Sequence, residues 1–133
     1  MRIVLDTNVF VSGVFFGGQP GRILTAWRDK MVRLVLSHEI LEEYIEVLYR
    51  LEKLYPPIEA EPVIELILAG SEIIPAVPLE KPVSCDPDDG KFIACALASK
   101  AKVIVSGDKH LLSLKRFQDI DILSPSEFVQ KYL

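Results

Sequence analysis

Apolar and polar positions change period along this chain in a regular order. Ile3-Val4-Leu5 is a continuous apolar run, as expected of a strand buried on both faces. From Asn8 to Phe16 the spacing becomes helical, and Gly17-Gly18 ends it. Pro20-Gly21 opens a second helix through Ile23, Leu24 and Trp27. Leu34-Val35-Leu36 predicts a second strand, and Ser37 is placed to cap a long helix from His38 to about Leu54. Pro56-Pro57 stops that helix. A further helix is predicted over Pro62 to Ala69, and a strand over Glu72 to Val77. The stretch Pro75 to Pro87 holds four prolines and reads as an extended connection. Beyond it come a helix from Asp89 to Lys100, a strand from Val103 to Val105 and a short helix from Lys109 to Leu114. Asp121 to Leu123 is a last strand, and Ser124-Pro125 opens a terminal helix through Phe128 and Val129. Strands alternate with helices throughout. That order predicts an α/β domain with a mainly parallel sheet covered on both faces.

Composition sets limits on this picture. The 133 residues suit one domain over 1–133, and half of them are apolar, which argues against disorder. No apolar run is long enough to span a bilayer, and a first strand starting at Arg2 leaves no room for a signal peptide. A cytoplasmic protein is expected. Cys85 and Cys95 have no further Cys or His at zinc-ligand spacing and read as buried free thiols. A net charge of −4 and a pI of about 5.2 do not mark a nucleic-acid binder. Acids clustered at a metal site can hide a local basic rim. Arg22, Arg28, Lys30, Arg33, Lys109, Lys115 and Arg116 either form such a rim or are scattered solvated charges.

The candidate chemistry lies in four acidic positions. Asp6 follows the first strand, and Asp108 follows the strand Val103-Ile104-Val105 through Ser106-Gly107. Each has an ordinary use as a helix N-cap. Thr7, Asn8 and Ser106 stand beside them as supporting polar groups or as turn residues. On the long helix the apolar face centres near Tyr44. Glu43 lies about 100° from that centre, and Glu42 and Glu46 about 160° away, so Glu43 borders the buried face while the other two point to water. In Cys85-Asp86-Pro87-Asp88-Asp89, Asp86 suits an N-cap, and the two following acids suit the first turn of a helix. Asp89 shares a stripe with Phe92, Ile93 and Ala96 and is expected to face inward; Asp88 also has Phe92 at i+4. His110 reads as an exposed residue without a catalytic partner.

Residues just past the strand ends of a parallel sheet share one rim, where ligands bind. Carboxylates gathered there repel unless a cation neutralises them. All-carboxylate ligation suits Mg²⁺ or Mn²⁺ and phosphate chemistry.

The motifs Asp6-Thr7-Asn8, Glu43-Tyr44, Asp86-Pro87-Asp88-Asp89 before Lys91-Phe92-Ile93-Ala94, and Ser106-Gly107-Asp108-Lys109-His110 occur in an order that resembles the PIN-domain family, most nearly its VapC-like toxin branch. The closing Ile122-Leu123-Ser124-Pro125-Ser126-Glu127-Phe128 fits as well. The resemblance covers nearly the whole chain. It implies a three-layer α/β/α fold around a mostly parallel five-stranded sheet. It implies a Mg²⁺- or Mn²⁺-dependent ribonuclease acting on RNA, a homodimer, and a small antitoxin as partner. It implies metal ligands at Asp6, Glu43, Asp89 and Asp108, with Asp86 and Asp88 as alternatives for the third acid because Gly90 stands where many members carry it.

Other functions compete. A haloacid-dehalogenase-type phosphatase needs a second Asp two residues after the first, where this chain has Asn8. A non-catalytic PIN scaffold binding RNA or a protein partner shares the fold, but all four acids are present here. A receiver-like phosphorylation module lacks its lysine–acid layout.

Overall fold

The computed structural model describes residues 1–80 and 87–133. Six strands form one sheet: β1 (Arg2–Leu5), β2 (Arg33–Leu36), β3 (Ser71–Ile73), β4 (Val103–Val105), β5 (Arg116–Phe117) and β6 (Ile120–Leu123), in the order β3-β2-β1-β4-β6-β5. The five expected strands are all present and mutually parallel. The sixth, β5, is a two-residue antiparallel addition at the edge beside β6. It lies between Lys115 and Gln118, which have φ of 60° and 52°, and it is too short to show any period in the sequence.

Seven helices accompany the strands among the described residues: α1 (Thr7–Phe15), α2 (Gly18–Arg28), α3 (His38–Leu54), α4 (Ala60–Gly70), α5 (Gly90–Ser99), α6 (Lys109–Leu114) and α7 (Pro125–Tyr132). Ile3, Val4 and Leu5 are all fully buried. Neighbouring residues of a strand face opposite sides of the sheet, so both faces are covered. α5 packs on β1, β2 and β4, while α2 packs against α1 and α7. Gly17 and Gly18, with φ of 73° and 65°, separate α1 from α2 at a bend that L side chains rarely adopt.

Several boundaries depart from expectation, among them that of α4, which starts at Ala60, two residues before Pro62. Helix α2 starts at Gly18, so Pro20 sits inside its first turn. β3 stops at Ile73 instead of reaching Val77. The Ile74 N–H still donates to the Leu36 carbonyl at 2.8 Å, and there the partner strand β2 ends, because Ser37 caps α3. The helix expected from Asp89 begins as a 3₁₀ turn over Pro87–Asp89, and α5 proper starts at Gly90.

Tyr44 holds α3 to the centre of the sheet. Its ring is fully buried and stacks on Phe10, with centroids 4.6 Å apart, and its hydroxyl donates to the Leu5 carbonyl at 2.5 Å. Burial pushes the phenol well above its ordinary range, so it stays a neutral donor. Cys95 is a buried free thiol whose pKa burial raises to about 11, which makes it a poor nucleophile. Cys85 lies outside the described residues.

Tyr44→Phe removes the hydroxyl and leaves its ring in place. The expected cost is about 1–2 kcal/mol of folding stability. A urea unfolding series checks it: the midpoint should fall while the slope stays unchanged.

Candidate metal centre

The strand order reverses at β1. The chain builds outward through β2 and β3 on one side, then crosses to β4 and β6 on the other. The crevice beyond the ends of β1 and β4 is therefore the switch point of the sheet. Asp6 follows β1 directly, and Ser106-Gly107-Asp108 follows β4.

Asp6 does two local jobs there. As N-cap of α1, its Oδ1 accepts from the Val9 N–H at 2.8 Å. Its Oδ2 accepts from the Ser106 hydroxyl and from the Gly107 N–H at 3.2 Å. The capping role and a site role are thus compatible in one carboxylate. Asp6 is 6% exposed, and burial raises its pKa; the charge of Asp108 adds to the rise, while its hydrogen bonds oppose it. Ser106 is fully buried and also accepts from the Asp108 N–H at 2.9 Å, so one hydroxyl ties the two strand ends together. Asp108 caps α6 as expected, accepting from the His110 N–H at 2.7 Å. His110 itself is exposed.

Helix α3 contributes Glu43. It is half-buried, whereas Glu42 and Glu46 are exposed, as the helical angle predicts. Both Glu43 oxygens are engaged. Oε2 accepts from the Thr7 hydroxyl, and Oε1 lies 2.6 Å from the Lys91 ammonium. Asp89 is buried at 3% exposure, and Asp88 beside it is exposed. Asp89 occupies the N-cap position of α5 without a side-chain capping bond, so capping does not account for its inward placement. Asp86 lies outside the described residues.

These side chains line one open cleft of about 490 Å³. Asp6, Glu43, Asp88, Asp89 and Asp108 share it with Thr7 and Asn8. One stripe of α3 forms a wall: Glu43, Glu46, Val47 and Arg50 are spaced i, i+3, i+4 and i+7. Glu46 therefore points to water and to the cleft at once, since the cleft is itself wet.

A hard dication wants oxygen donors, and this donor set offers carboxylates, hydroxyls and an amide. Its chemistry fits. As the side chains stand, no group of three or more His, Cys, Asp or Glu among the described residues is gathered closely enough to hold an ion. Glu43 in particular is held by Thr7 and Lys91.

The cleft's own cations were not among the seven suspected from the sequence. None of those seven lines it; Arg33 and Arg116, for instance, pair with Glu72 and Asp121 at 3.7 Å. Lys91 and Arg50 line it instead. The available signal for Lys91 was its isolation. It is the single charged residue in Gly90–Ser99, a helix that is otherwise apolar and small.

A family model described as PIN domain matches residues 2–110 of the chain. Among solved structures, one similar chain belongs to VapBC2 from Rickettsia felis bound to a DNA fragment from their promoter. The match has a TM-score of 0.59 at 15% identity, and it covers 92% of this chain and 97% of that one. At that identity the likeness is one of fold. A comparison with curated proteins finds no match.

Because folding raises the Asp6 pKa, the folded protein keeps a proton that the unfolded chain has already lost. Stability from this group therefore falls as pH rises through a window that opens at 3.8 and closes at the raised folded value. Asp6→Asn has no such loss. In metal-free buffer, the stability of Asp6→Asn relative to wild type is expected to improve steadily across that window and then level off. Urea unfolding at a series of pH values with EDTA checks the direction; a difference that does not change with pH would contradict it.

Proposed function

The chain belongs to the PIN-domain family, and from that premise we propose that it is a Mg²⁺- or Mn²⁺-dependent endoribonuclease that hydrolyses RNA phosphodiester bonds. The observation that carries this reading is the convergence of Asp6, Glu43, Asp89 and Asp108 on one cleft at the switch point of the sheet. In this reading those four residues hold the metal, with Asp88 as the described alternative to Asp89. A bound dication would neutralise the acids, activate a water and stabilise the oxygen leaving phosphorus.

The chain's own groups prepare the rest. Ser106 and the Val9 and Gly107 amides hold Asp6 in one orientation, and the Thr7 hydroxyl does the same for Glu43. Such prior ordering lowers the cost of reaching a reactive geometry. A carboxylate oxygen of Glu43 or Asp89 takes the proton from the attacking water as that water's oxygen bonds to phosphorus. The bond from phosphorus to the leaving ribose oxygen then breaks, and that oxygen takes a proton from solvent water in the open cleft. Arg50 places an exposed guanidinium on the cleft wall, able to meet a backbone phosphate.

The resemblance to VapC-like toxins extends the proposal to a toxin–antitoxin pair, with a small antitoxin as partner, a homodimer and a cytoplasmic setting. No helix among the described residues is long and apolar enough to cross a membrane.

The test is cleavage of a mixed panel of structured and single-stranded RNAs with Mn²⁺ or with EDTA, comparing wild type and Asp6→Ala. Wild type is expected to cleave only with Mn²⁺. Asp6→Ala is expected to lose at least about 100-fold, the upper end of what residues that merely orient metal ligands contribute. Its circular dichroism should be unchanged. A folded wild type that neither cleaves nor binds Mn²⁺ by calorimetry would reject the nuclease and favour a non-catalytic scaffold.

A further inference from the structure

Lys91 stands out among the cations of the described residues because it lies inside the protein. Its side chain is 9% exposed, whereas the basic side chains of the other ion pairs are 39% to 73% exposed. A buried ammonium is costly unless a carboxylate meets it at close range. Glu43 does so at 2.6 Å, reaching across from α3 to the first turn of α5. The ammonium also lies 5.3 Å from the centre of the Phe92 ring, whose face adds a weaker attraction.

The surroundings explain why a cation is stable there. The cleft wall carries Asp6, Glu43, Glu46, Asp88, Asp89 and Asp108, against Lys91 and Arg50. Arg50 is held by Glu46 at 3.1 Å and is exposed, so most of its field is screened by water. Lys91 is the buried positive charge set against the buried end of the cleft.

We propose that Lys91 is the built-in counter-cation of this site, holding Glu43 when no metal is bound and competing with a divalent cation for that carboxylate. The inference rests on the metal-dependent reading above. Lys91 is a positioning residue, since it acts through Glu43. The Thr7 hydroxyl holds the other Glu43 oxygen, so the ammonium is the charged partner that must yield before Glu43 closes on an ion with the other acids. Loading the site is then an exchange of one cation for another, with the acids drawing closer as it proceeds. Like charges repel, so the ammonium lowers the affinity of the site for a dication.

The experiment is titration of Mn²⁺ alone into wild type, Lys91→Met and Lys91→Arg by calorimetry, with thermal unfolding of each in EDTA and in Mn²⁺. Met fills a similar volume without the charge. Lys91→Met is expected to bind Mn²⁺ more tightly, on the order of tenfold. It is expected to unfold at lower temperature in EDTA and to gain more from Mn²⁺ than wild type does. Lys91→Arg keeps the charge and is expected to bind within about threefold of wild type. Should Lys91→Met fail to fold, Lys91→Gln removes the charge but keeps a donor, and the same criteria apply to it. Wild-type or weaker Mn²⁺ binding by a folded, neutral variant overturns the inference and leaves Lys91 with a structural role. Absence of Mn²⁺ binding by wild type overturns it together with the reading on which it rests.

Discussion

The carboxylate of Asp6 leaves water on the strand that forms the middle of the sheet. β1 lies between β2 and β4 and is buried on both faces, so whatever follows Leu5 starts inside the protein. Placing an acid there has a penalty, and the raised pKa of Asp6 records it. Much of the local structure answers that penalty. The start of α1 presents the Val9 N–H, and the end of β4 presents the Ser106 hydroxyl and the Gly107 N–H. Ser106 also binds the Asp108 amide, which commits the β4 end to a tight turn and brings a second acid to the same crevice. One buried carboxylate thus ties together the loops that follow two paired strands at the switch point.

A hydrophobic tether performs the matching task on the other side. The Tyr44 ring sits in the core on Phe10, and its hydroxyl ends on the Leu5 carbonyl, one residue before Asp6. Glu43 precedes Tyr44, so seating that ring also sets the Glu43 carboxylate beside Thr7. Packing in the core and placement at the cleft are therefore one event. A change that loosens the ring would also move the acid.

Much of this was legible from residue order because local rules governed it. The three-residue apolar runs at Ile3 and Val103 marked strands buried on both faces, and the acids after them marked the rim. The helical angle separated Glu43 from Glu42 and Glu46 because α3 is long and strongly two-faced. What escaped notice depended on tertiary contacts. β5 has two residues and therefore no period. The end of β3 was set by the end of its partner β2 at Leu36, where apolar content alone suggested a longer strand. Lys91 resembled any solvated lysine after an acidic run, since its burial comes from α3, a distant part of the chain. Glu46 read as a plain surface residue, and Arg50 drew no notice, because the wall of a wet cleft has the same polarity as the outside.

The same cleft carries two opposing demands. Acids gathered on one cleft destabilise the fold unless something offsets them, and on the proposed reading an ammonium that relieves them opposes the dication. An apolar residue at 91 would leave Glu43 with only the Thr7 hydroxyl in a crowd of carboxylates. A second buried lysine would offset more of the charge and weaken the field that draws a metal in. One lysine on one acid lies between these limits. Lys91 is joined to Asp89 through the single residue Gly90, so the counter-cation and the buried acid of α5 ride on the same helical turn. Any shift of that turn changes both signs of charge at the cleft together. On the proposed reading, that coupling lets so acidic a site assemble before a metal arrives.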